Sequence, residues 1–286
     1  MSLNLSLART LFHRDLIGSK TLSVDSAGIA SNADKSQKLS CELALGIARA
    51  LGTPQGGEKL NGQSSGQNFE EAVSAFLRET FPALSALRPG RWNVLNVGSS
   101  RRGHSLSQYE PYRHLDELAA AIIETPALAA ILGNSYDISP DILVVRQPID
   151  QRELNDSGIV VDGVASYSPL LAHNQSSAII HAVVSCKWTL RSDRAQNARS
   201  EALNLIRNRK GRTPHIVVVT GEPTPSRLSS LALGTGDIDT VYHFALPELI
   251  AATQTSGNEE AVKTLDTLVT GQRLRDIADL PLDLAI

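Results

Sequence analysis

Residues 178–188 read AIIHAVVSCKW and residues 215–220 read HIVVVT. Each is a short apolar run rich in Val and Ile, which is typical of a strand buried on both faces. Between them, Ala195 to Arg209 has apolar residues at helical spacing, and we interpret this segment as a helix. Asp141 to Val145 (DILVV) predicts a strand before this unit, and Val241 to Phe244 predicts another after it. This order of elements predicts an α/β fold with a mixed central sheet flanked by helices.

The first third of the chain is predicted to be mainly helical. Apolar residues recur one turn apart in Leu3 to Ile17, in Ser36 to Leu51 and from Asn68 to about Leu84. The stretch from Gly52 to Gln67 is rich in Gly, Ser and Gln, and we predict a polar loop there. Near the C-terminus, the segments predicted to be helical are Leu246 to Thr253 and Glu259 to Val269.

The chain has no internal repeat and no convincing linker, so we interpret residues 1–286 as a single domain. Its predicted parts are an N-terminal helical part at 1–135, an α/β core at about 136–245 and C-terminal helices at 246–286. The irregular segment from Gln147 to Ser177 is expected to join two strands that lie side by side.

Composition excludes several classes of protein. Apolar residues make up 42% and charged residues 20% of the chain, and the net charge of −3 argues against a non-specific nucleic-acid coating protein. The two cysteines, Cys41 and Cys186, are typical of free thiols in a reducing cytosol. Apolar runs stay far below the ~20 residues that span a bilayer, and no signal peptide is evident, so we expect a cytoplasmic protein.

Three charged residues stand where a phosphodiester-cleaving site would need them. Asp141 follows Pro140 at the start of a predicted strand, and Lys187 lies late in another, on the same face as Ser185. Glu201 lies in the following helix, at the edge of a buried stripe formed by Ala198, Ala202 and Leu205. Two carboxylates and an amine that converge could hold Mg²⁺ beside a phosphate. Each residue alone would be read as an ordinary surface or turn residue, and only their joint spacing points to a nuclease.

This pattern resembles the PD-(D/E)xK nucleases, and more narrowly the type II restriction enzymes that cut around a CCGG core. In that subgroup the acidic residue before x-Lys is replaced, here by Ser185, and a glutamate on the next helix, here Glu201, supplies the charge. The resemblance covers Ser185 to Arg212, Ser31 to Asp34 and Gly62 to Glu70 in particular. It implies a restriction-endonuclease-like fold.

The resemblance also implies catalytic roles. Asp141 and Glu201 would bind two Mg²⁺ ions with help from the backbone carbonyl of Cys186, and Lys187 would orient or deprotonate the attacking water. Glu70 would add an outer acidic contact, because the phenylalanine before it matches the pattern of the subgroup.

A cluster of charged residues, Arg191-Ser192-Asp193-Arg194, lies between the strand and the helix. Arginine can donate two hydrogen bonds to guanine, and aspartate can accept one from cytosine, so the cluster could read G·C pairs in the major groove. Asp193 could equally cap the helix, which we expect to begin near Arg194. Both roles can hold together.

By resemblance, Arg191, Asp193 and Arg194 read the CCGG core, Arg227 and Asp34 read the flanking pair, and Gln63 approaches from the minor groove. The implied site is GCCGGC, cut after the first G to leave four-base 5′ overhangs. The implied partners are double-stranded DNA and further copies of the chain, in a tetramer made of two dimers.

A second basic cluster occupies residues 208–212 (NRKGR). It fits either a loop that contacts phosphates or the solvated end of a helix, where positive charge is favourable. The sequence leaves both readings open.

Two other functions compete with this prediction. One is a repair or recombination nuclease of the same fold, against which the Arg-x-Asp-Arg cluster argues. The other is a sequence-specific DNA-binding protein that does not cut, against which Asp141, Lys187 and Glu201 argue. The seven histidines lack metal-ligand spacing, no cysteine pair predicts zinc, and GTGD at 234–237 is not a phosphate-binding fingerprint.

Overall fold

The structure, a computed structural model, describes residues 4–57, 60–98, 105–125, 127, 130, 140–159, 161, 164–190 and 192–286, with only the backbone at 192 and 193. Its six strands are β1 Trp92–Asn96, β2 Ile142–Arg146, β3 Ile179–Lys187, β4 His215–Thr220, β5 Thr240–His243 and β6 Leu274–Asp276. The α-helices described are α1 Leu5–Gly18, α2 Lys38–Ala50, α3 Gly62–Thr80, α4 His114–Glu124, α5 Gln151–Asp156, α6 Ser192–Asn208, α7 Pro225–Ala232, α8 Leu246–Ser256, α9 Glu259–Thr270 and α10 Leu280–Asp283. Short 3-10 turns lie at Pro82–Leu84, Leu106–Gln108 and Ile277–Asp279. Within these residues, no helix is both long and apolar enough to cross a membrane.

All six strands form one mixed sheet in the order β1-β2-β3-β4-β5-β6. The first three pair antiparallel, and β3, β4, β5 and β6 pair parallel. The predicted α/β fold with a mixed central sheet is therefore confirmed. The expected side-by-side pairing across Gln147 to Ser177 is also confirmed, because β2 and β3 are direct neighbours.

The central strands are buried on both faces because helices cover the sheet on each side. Along β4, only His215 is partly exposed. On one face, Ala198 and Ala202 of α6 share a small cavity with Val183 of β3. On the other face, the ring of Phe69 in α3 lies 5.0 Å from the ring of Trp188, which follows β3. This burial explains why β3 and β4 have continuous apolar sequences without alternation.

The predicted buried stripe of α6 is correct. Ala198, Ala202 and Leu205 are all buried, at 3%, 1% and 2% exposure, whereas Glu201 between them is half-buried. Most of the buried apolar side chains that the structure describes form one cluster from Ala8 to Leu284, as we expect of the proposed single domain.

Three predictions about local structure were wrong. Both edge strands, β1 and β6, lie in the parts of the chain predicted to be helical, 1–135 and 246–286, although outside the individual helices predicted there. They are short edge strands, and edge pairing with a neighbouring strand is a tertiary effect that a window of sequence does not report. Helix α3 begins at Gly62, so Gly62 to Gln67 are helical and do not form a loop. Asn61 caps this helix by accepting a hydrogen bond from Ser64 N at 2.8 Å, which offsets the poor helix propensity of the glycines.

Helix α6 also begins earlier than expected. It starts at Ser192, so Asp193 lies in its first turn and cannot be its N-cap residue. An acidic residue is still favourable there because it faces the positive end of the helix dipole. Arg191 lies outside the described residues, as does the side chain of Asp193.

Candidate active site and DNA interface

The candidate catalytic residues meet where β2 begins and β3 ends. Because β2 and β3 are antiparallel, the start of one lies beside the end of the other. Asp141 immediately precedes β2, and Lys187 is the last residue of β3. The backbone oxygen of Asp141 accepts hydrogen bonds from Val97 N at 2.9 Å and Gly98 N at 3.0 Å. These bonds hold the start of β2 against the residues that follow β1.

Asp141 is the centre of the cluster. Its side chain is 8% exposed, and Oδ2 accepts hydrogen bonds from Cys186 N at 2.7 Å, Lys187 Nζ at 3.2 Å and Ser185 Oγ at 3.4 Å. Three consecutive residues of β3 therefore point hydrogen-bond donors at a single carboxylate oxygen. This arrangement holds the carboxylate in one orientation at the sheet edge.

Lys187 lies among negative charges. Burial alone would lower the pKa of its ammonium group, but the carboxylates of Asp141 and Glu201 more than offset this, and the pKa of Lys187 is raised. The same surroundings also raise the pKa of Cys186. Burial, together with the charges of Asp141 and Glu70, raises the pKa of its thiol well above the ordinary value. Lys187 is thus a cation and Cys186 a neutral thiol in this protein.

A cleft of about 650 Å³ opens above this cluster. It lies between α3 and α6, and its walls include Glu70 and Gln63 of α3 and Glu201, Arg194 and Asn197 of α6. The structure therefore brings seven of the predicted site residues to one cleft, namely Gln63, Glu70, Asp141, Cys186, Lys187, Arg194 and Glu201. Ser185 lies beside the cleft in a smaller cavity that it shares with Glu201.

Gly98 allows two of the carboxylates to come close together. A Cβ atom at this position would lie 2.7 Å from Glu70 Oε2 and 3.3 Å from Asp141 Cα. Only a glycine leaves room for the side chain of Glu70 beside Asp141. Sequence patterns did not identify Gly98, because its role depends on a helix and a strand that are distant in the sequence.

Comparison with known proteins places this site in a family. The sequence pattern of the NgoMIV restriction enzyme family matches residues 12–286. A relative from Neisseria gonorrhoeae, type II restriction enzyme NgoMIV, is 51% identical over 279 residues, which are 97% of this chain and 97% of that protein.

The chain belongs to the NgoMIV restriction enzyme family.

The predicted resemblance to type II restriction enzymes is thereby confirmed, as is the prediction of a type II site-specific deoxyribonuclease. The solved complex of restriction endonuclease PspGI with substrate DNA aligns with 99% of this chain and 92% of that chain, at 13% identity and a TM-score of 0.28. A similarity of that size supports no conclusion about this chain.

In this member of the NgoMIV family, Asp34 and Arg227 form an ion pair. Arg227 Nη2 donates to Asp34 Oδ2, although the two residues are far apart in sequence. Asp34 also accepts hydrogen bonds from Ser36 Oγ at 2.7 Å and Ser36 N at 3.0 Å. Those bonds to Ser36, followed by the bond to Arg227, lower the pKa of Asp34 to about 2. The two residues predicted to read the flanking base pair are therefore already together.

Arg194 extends from the first turn of α6 into the cleft and is exposed. Its Nη1 donates to Thr189 Oγ1 at 3.1 Å, so the guanidinium is held near the end of β3. Gln63 is likewise exposed, in the first turn of α3 on the opposite wall. These two side chains present hydrogen-bonding groups on both sides of the cleft.

A buried carboxylate that sequence reasoning missed ties these segments together. Glu222 is fully buried and accepts hydrogen bonds from Leu190 N at 2.9 Å and Thr224 N at 3.1 Å. Its Oε2 lies 3.7 Å from Arg227 Nη1. Burial raises the pKa of Glu222, while these donors act in the opposite direction. The carboxylate therefore joins the segment before α6 to the segment that carries Arg227.

Asn32 completes this connection. Its buried Nδ2 donates to Gly221 O at 2.7 Å, which links the SNAD segment (Ser31 to Asp34) to the residue before Glu222. For Glu222, the available signal was an acidic residue two positions after the strand HIVVVT, at the carboxyl end of parallel strands. That signal does not reveal which backbone amides the carboxylate meets.

Proposed function

We propose that this chain is a Mg²⁺-dependent endonuclease that cuts double-stranded DNA at GCCGGC after the first G, leaving 5′-phosphate ends with four-base 5′ overhangs. The observation that carries the proposal is the convergence of Asp141, Lys187, Glu201 and Glu70 on one cleft. Family membership supports the reaction class, and the resemblance of Arg191, Asp193, Arg194, Arg227, Asp34 and Gln63 to base-reading residues supports the site.

The donors in the cleft fit a hard divalent cation. Asp141, Glu201 and the carbonyl of Cys186 offer oxygen ligands, which Mg²⁺ prefers. Among the described residues, no three His, Cys, Asp or Glu side chains come close enough to enclose an ion. That also fits Mg²⁺, because this ion keeps several waters and takes phosphate oxygens from its substrate. Lys187 Nζ, 3.2 Å from Asp141 Oδ2, shows that this carboxylate already attracts a cation.

Bound Mg²⁺ would lower the pKa of the attacking water and neutralise charge on the phosphate. The chain's own groups would do the rest. The raised pKa of Lys187 keeps Nζ protonated in the metal-free protein, so it is suited to donate hydrogen bonds to a water or a phosphate oxygen. Lys187 is therefore better suited to orient the attacking water than to deprotonate it. The bonds from Cys186 N and Ser185 Oγ would hold Asp141 in place throughout.

Base reading would use the two groups of side chains already described. Asp34 can accept from cytosine N4 and Arg227 can donate to guanine, so the pair matches one C·G pair. Arg194 would act with Arg191 and Asp193 on the CCGG core. A palindromic site requires two-fold symmetry in the protein. This symmetry requires only a dimer, and from the resemblance we also propose that two such dimers assemble as a tetramer.

Two experiments test the proposal. Digestion of a sequenced plasmid with Mg²⁺, followed by mapping of the fragment ends, should show a cut in GCCGGC and nowhere else. Asp141→Ala and Glu201→Ala should each lower the cleavage rate by roughly 10³-fold or more, because each removes a carboxylate from the reacting phosphate.

The same two variants should still bind a GCCGGC duplex in Ca²⁺, as measured by gel shift. Full activity of either variant would rule out the proposed metal ligands. Cleavage directed by DNA structure would favour a repair nuclease, and binding by the wild-type protein without any cleavage would favour a non-cutting DNA-binding protein.

A further inference from the structure

A second cavity with basic walls lies at the end of the sheet opposite the cleft. It has a volume of about 270 Å³, and Arg88, Arg146, Lys210 and Arg212 line it. Arg146 is the last residue of β2, and Lys210 and Arg212 belong to the NRKGR segment at the end of α6. Of the described residues on its walls, Glu110 alone is acidic.

Strand β3 and helix α6 both connect the cavity to the cleft, and their lengths give the distance between the two sites. Ile179 at the start of β3 lines the cavity and Lys187 at its end lines the cleft, which at ~3.3 Å per residue puts them about 26 Å apart. Helix α6 runs back in the opposite direction, from Arg194 in the cleft to Asn208 before the cavity, which is about 21 Å at ~1.5 Å per residue. The NRKGR segment therefore cannot contact the phosphate that is cut.

The cations at this cavity are held close to one another. The guanidinium carbons of Arg88 and Arg146 lie 5.9 and 5.5 Å from the ring centre of Trp92. Burial, followed by the charges of Arg212 and Arg146, lowers the pKa of Arg88. Arg88 Nη1 donates to Ile286 O, but its Nε is buried without a hydrogen-bond partner.

These charges also lack acidic partners in the part of the chain that is described. Arg146, Lys210 and Arg212 take part in none of the ion pairs found there, and Glu110 lies 3.8 Å from Arg113 instead. Like charges held together in a concave site raise its electrostatic potential and favour an anion. The walls are fixed by the backbone, since Lys210 N donates to Pro111 O at 3.0 Å and Ile180 N donates to Glu110 O at 2.8 Å.

We propose that this cavity is a phosphate-binding site, separate from the catalytic cleft. Guanidinium groups bind phosphate oxygens in pairs, and a lysine adds a point charge. The cavity is large enough for one phosphate group but smaller than the ~300–1,000 Å³ of sites for drug-sized ligands. The phosphate could be free inorganic phosphate or a group of a DNA backbone outside the cleaved site.

The test uses the full chain without Mg²⁺ and inorganic phosphate as the probe. The double variant Lys210→Gln/Arg212→Gln removes two exposed cations from the cavity. Lys38→Gln/Arg49→Gln removes two exposed cations from α2 and is the matched control. Binding is measured by calorimetry at constant ionic strength.

We expect saturable phosphate binding by the wild-type protein and the control, and at least about tenfold weaker binding by Lys210→Gln/Arg212→Gln. At saturating DNA this variant should also cut at the wild-type rate, because neither residue reaches the cleft. Equal phosphate affinity in all three proteins, or no saturable binding by the wild type, would overturn the proposal.

A second arm identifies the source of the phosphate. A short duplex without a CCGG core is added to the phosphate-loaded protein. Displacement of phosphate from the wild type and from Lys38→Gln/Arg49→Gln, together with weaker binding of the duplex by Lys210→Gln/Arg212→Gln, assigns the site to a DNA backbone. Retention of phosphate assigns it to the free anion, and either result supports a phosphate site.

Discussion

At the scale of single residues, the arrangement around Asp141 decides the chemistry. Asp141 Oδ2 accepts from the backbone and side chains of three consecutive residues of β3, so it cannot turn away from the cleft. Glu70 approaches from a different element, and it does so only because position 98 has no side chain. The site therefore depends as much on a missing atom as on the carboxylates.

Gly98→Ala tests this dependence. The added Cβ would meet the flexible end of Glu70, so we expect the carboxylate to move while the fold is retained. Cleavage should slow by about tenfold or more, whereas the melting temperature should stay near that of the wild type. A matched Gly66→Ala variant, where a Cβ meets nothing within 4 Å, should leave the rate much closer to normal. Unchanged cleavage by Gly98→Ala would show that Glu70 has no role.

The pair of Asp34 and Arg227 predicts an unusual titration. Because hydrogen bonds from Ser36 and then from Arg227 lower the pKa of Asp34 from 3.8 to about 2, the ionised carboxylate stabilises the protein above the ordinary pKa. That contribution is lost as the pH falls through about 2. NMR of the Asp34 carboxyl carbon should show a midpoint near 2, and Arg227→Gln should raise the midpoint. A midpoint near 3.8 in the wild type would mean that the pair does not form in solution.

At the scale of elements, one buried residue, Glu222, joins the segments that we propose to read DNA. Glu222 binds the backbone before α6 and lies beside Arg227, and Asn32 joins the SNAD segment to the same turn. These contacts couple three segments that lie far apart in the sequence. We therefore infer that Glu222 positions the base-reading residues relative to one another.

Glu222→Gln tests the role of this carboxylate. Leu190 N and Thr224 N donate to different oxygens of Glu222, and one of these becomes an amide nitrogen, which cannot accept. One bond is therefore lost, and the two segments should shift relative to each other. We expect cleavage of GCCGGC to persist, but its preference over sites with an altered outer base pair should fall by about tenfold.

The control is Asp276→Asn, a buried acid that accepts hydrogen bonds from Leu246 N and Ala278 N and pairs with Arg9. It should lower the melting temperature without changing the preference between sites. Equal effects of the two substitutions on the preference would mean that Glu222 only stabilises the fold.

At the scale of the whole molecule, one sheet carries two chemically different ends. The catalytic cleft lies at the end where β2 starts and β3 stops, and the basic cavity lies at the other end. Elements from both halves of the chain brace this sheet. Arg9 in α1 donates to Asp276 Oδ1 at 2.8 Å and to Glu248 Oε2 at 2.6 Å, which joins α1 to β6 and α8.

The proposed assembly predicts a mass that can be measured in solution. Because we propose a tetramer of two dimers, we expect light scattering after gel filtration to give about four times the 30.7 kDa of one chain. Such a tetramer would bind two palindromic duplexes. A stable dimer would contradict the tetramer but keep the symmetry. A monomer at all concentrations would contradict both.

The sequence by itself determined the elements whose pattern is local. The strand His215–Thr220 and the buried stripe of α6 follow from the apolar pattern, and the extended resemblance around Asp141, Lys187 and Glu201 indicates the family. Such features need only neighbouring residues, and periodicity reports them directly.

Only the tertiary structure decided what depends on distant segments meeting. The edge strands β1 and β6 exist because a neighbouring strand pairs with them, and Gly98 and Glu222 act through elements far away in the chain. The NRKGR segment is basic in any reading, but its place at the far end of the sheet follows from the direction of α6. Charge is a property of residues, whereas the partner that the charge meets is a property of the fold.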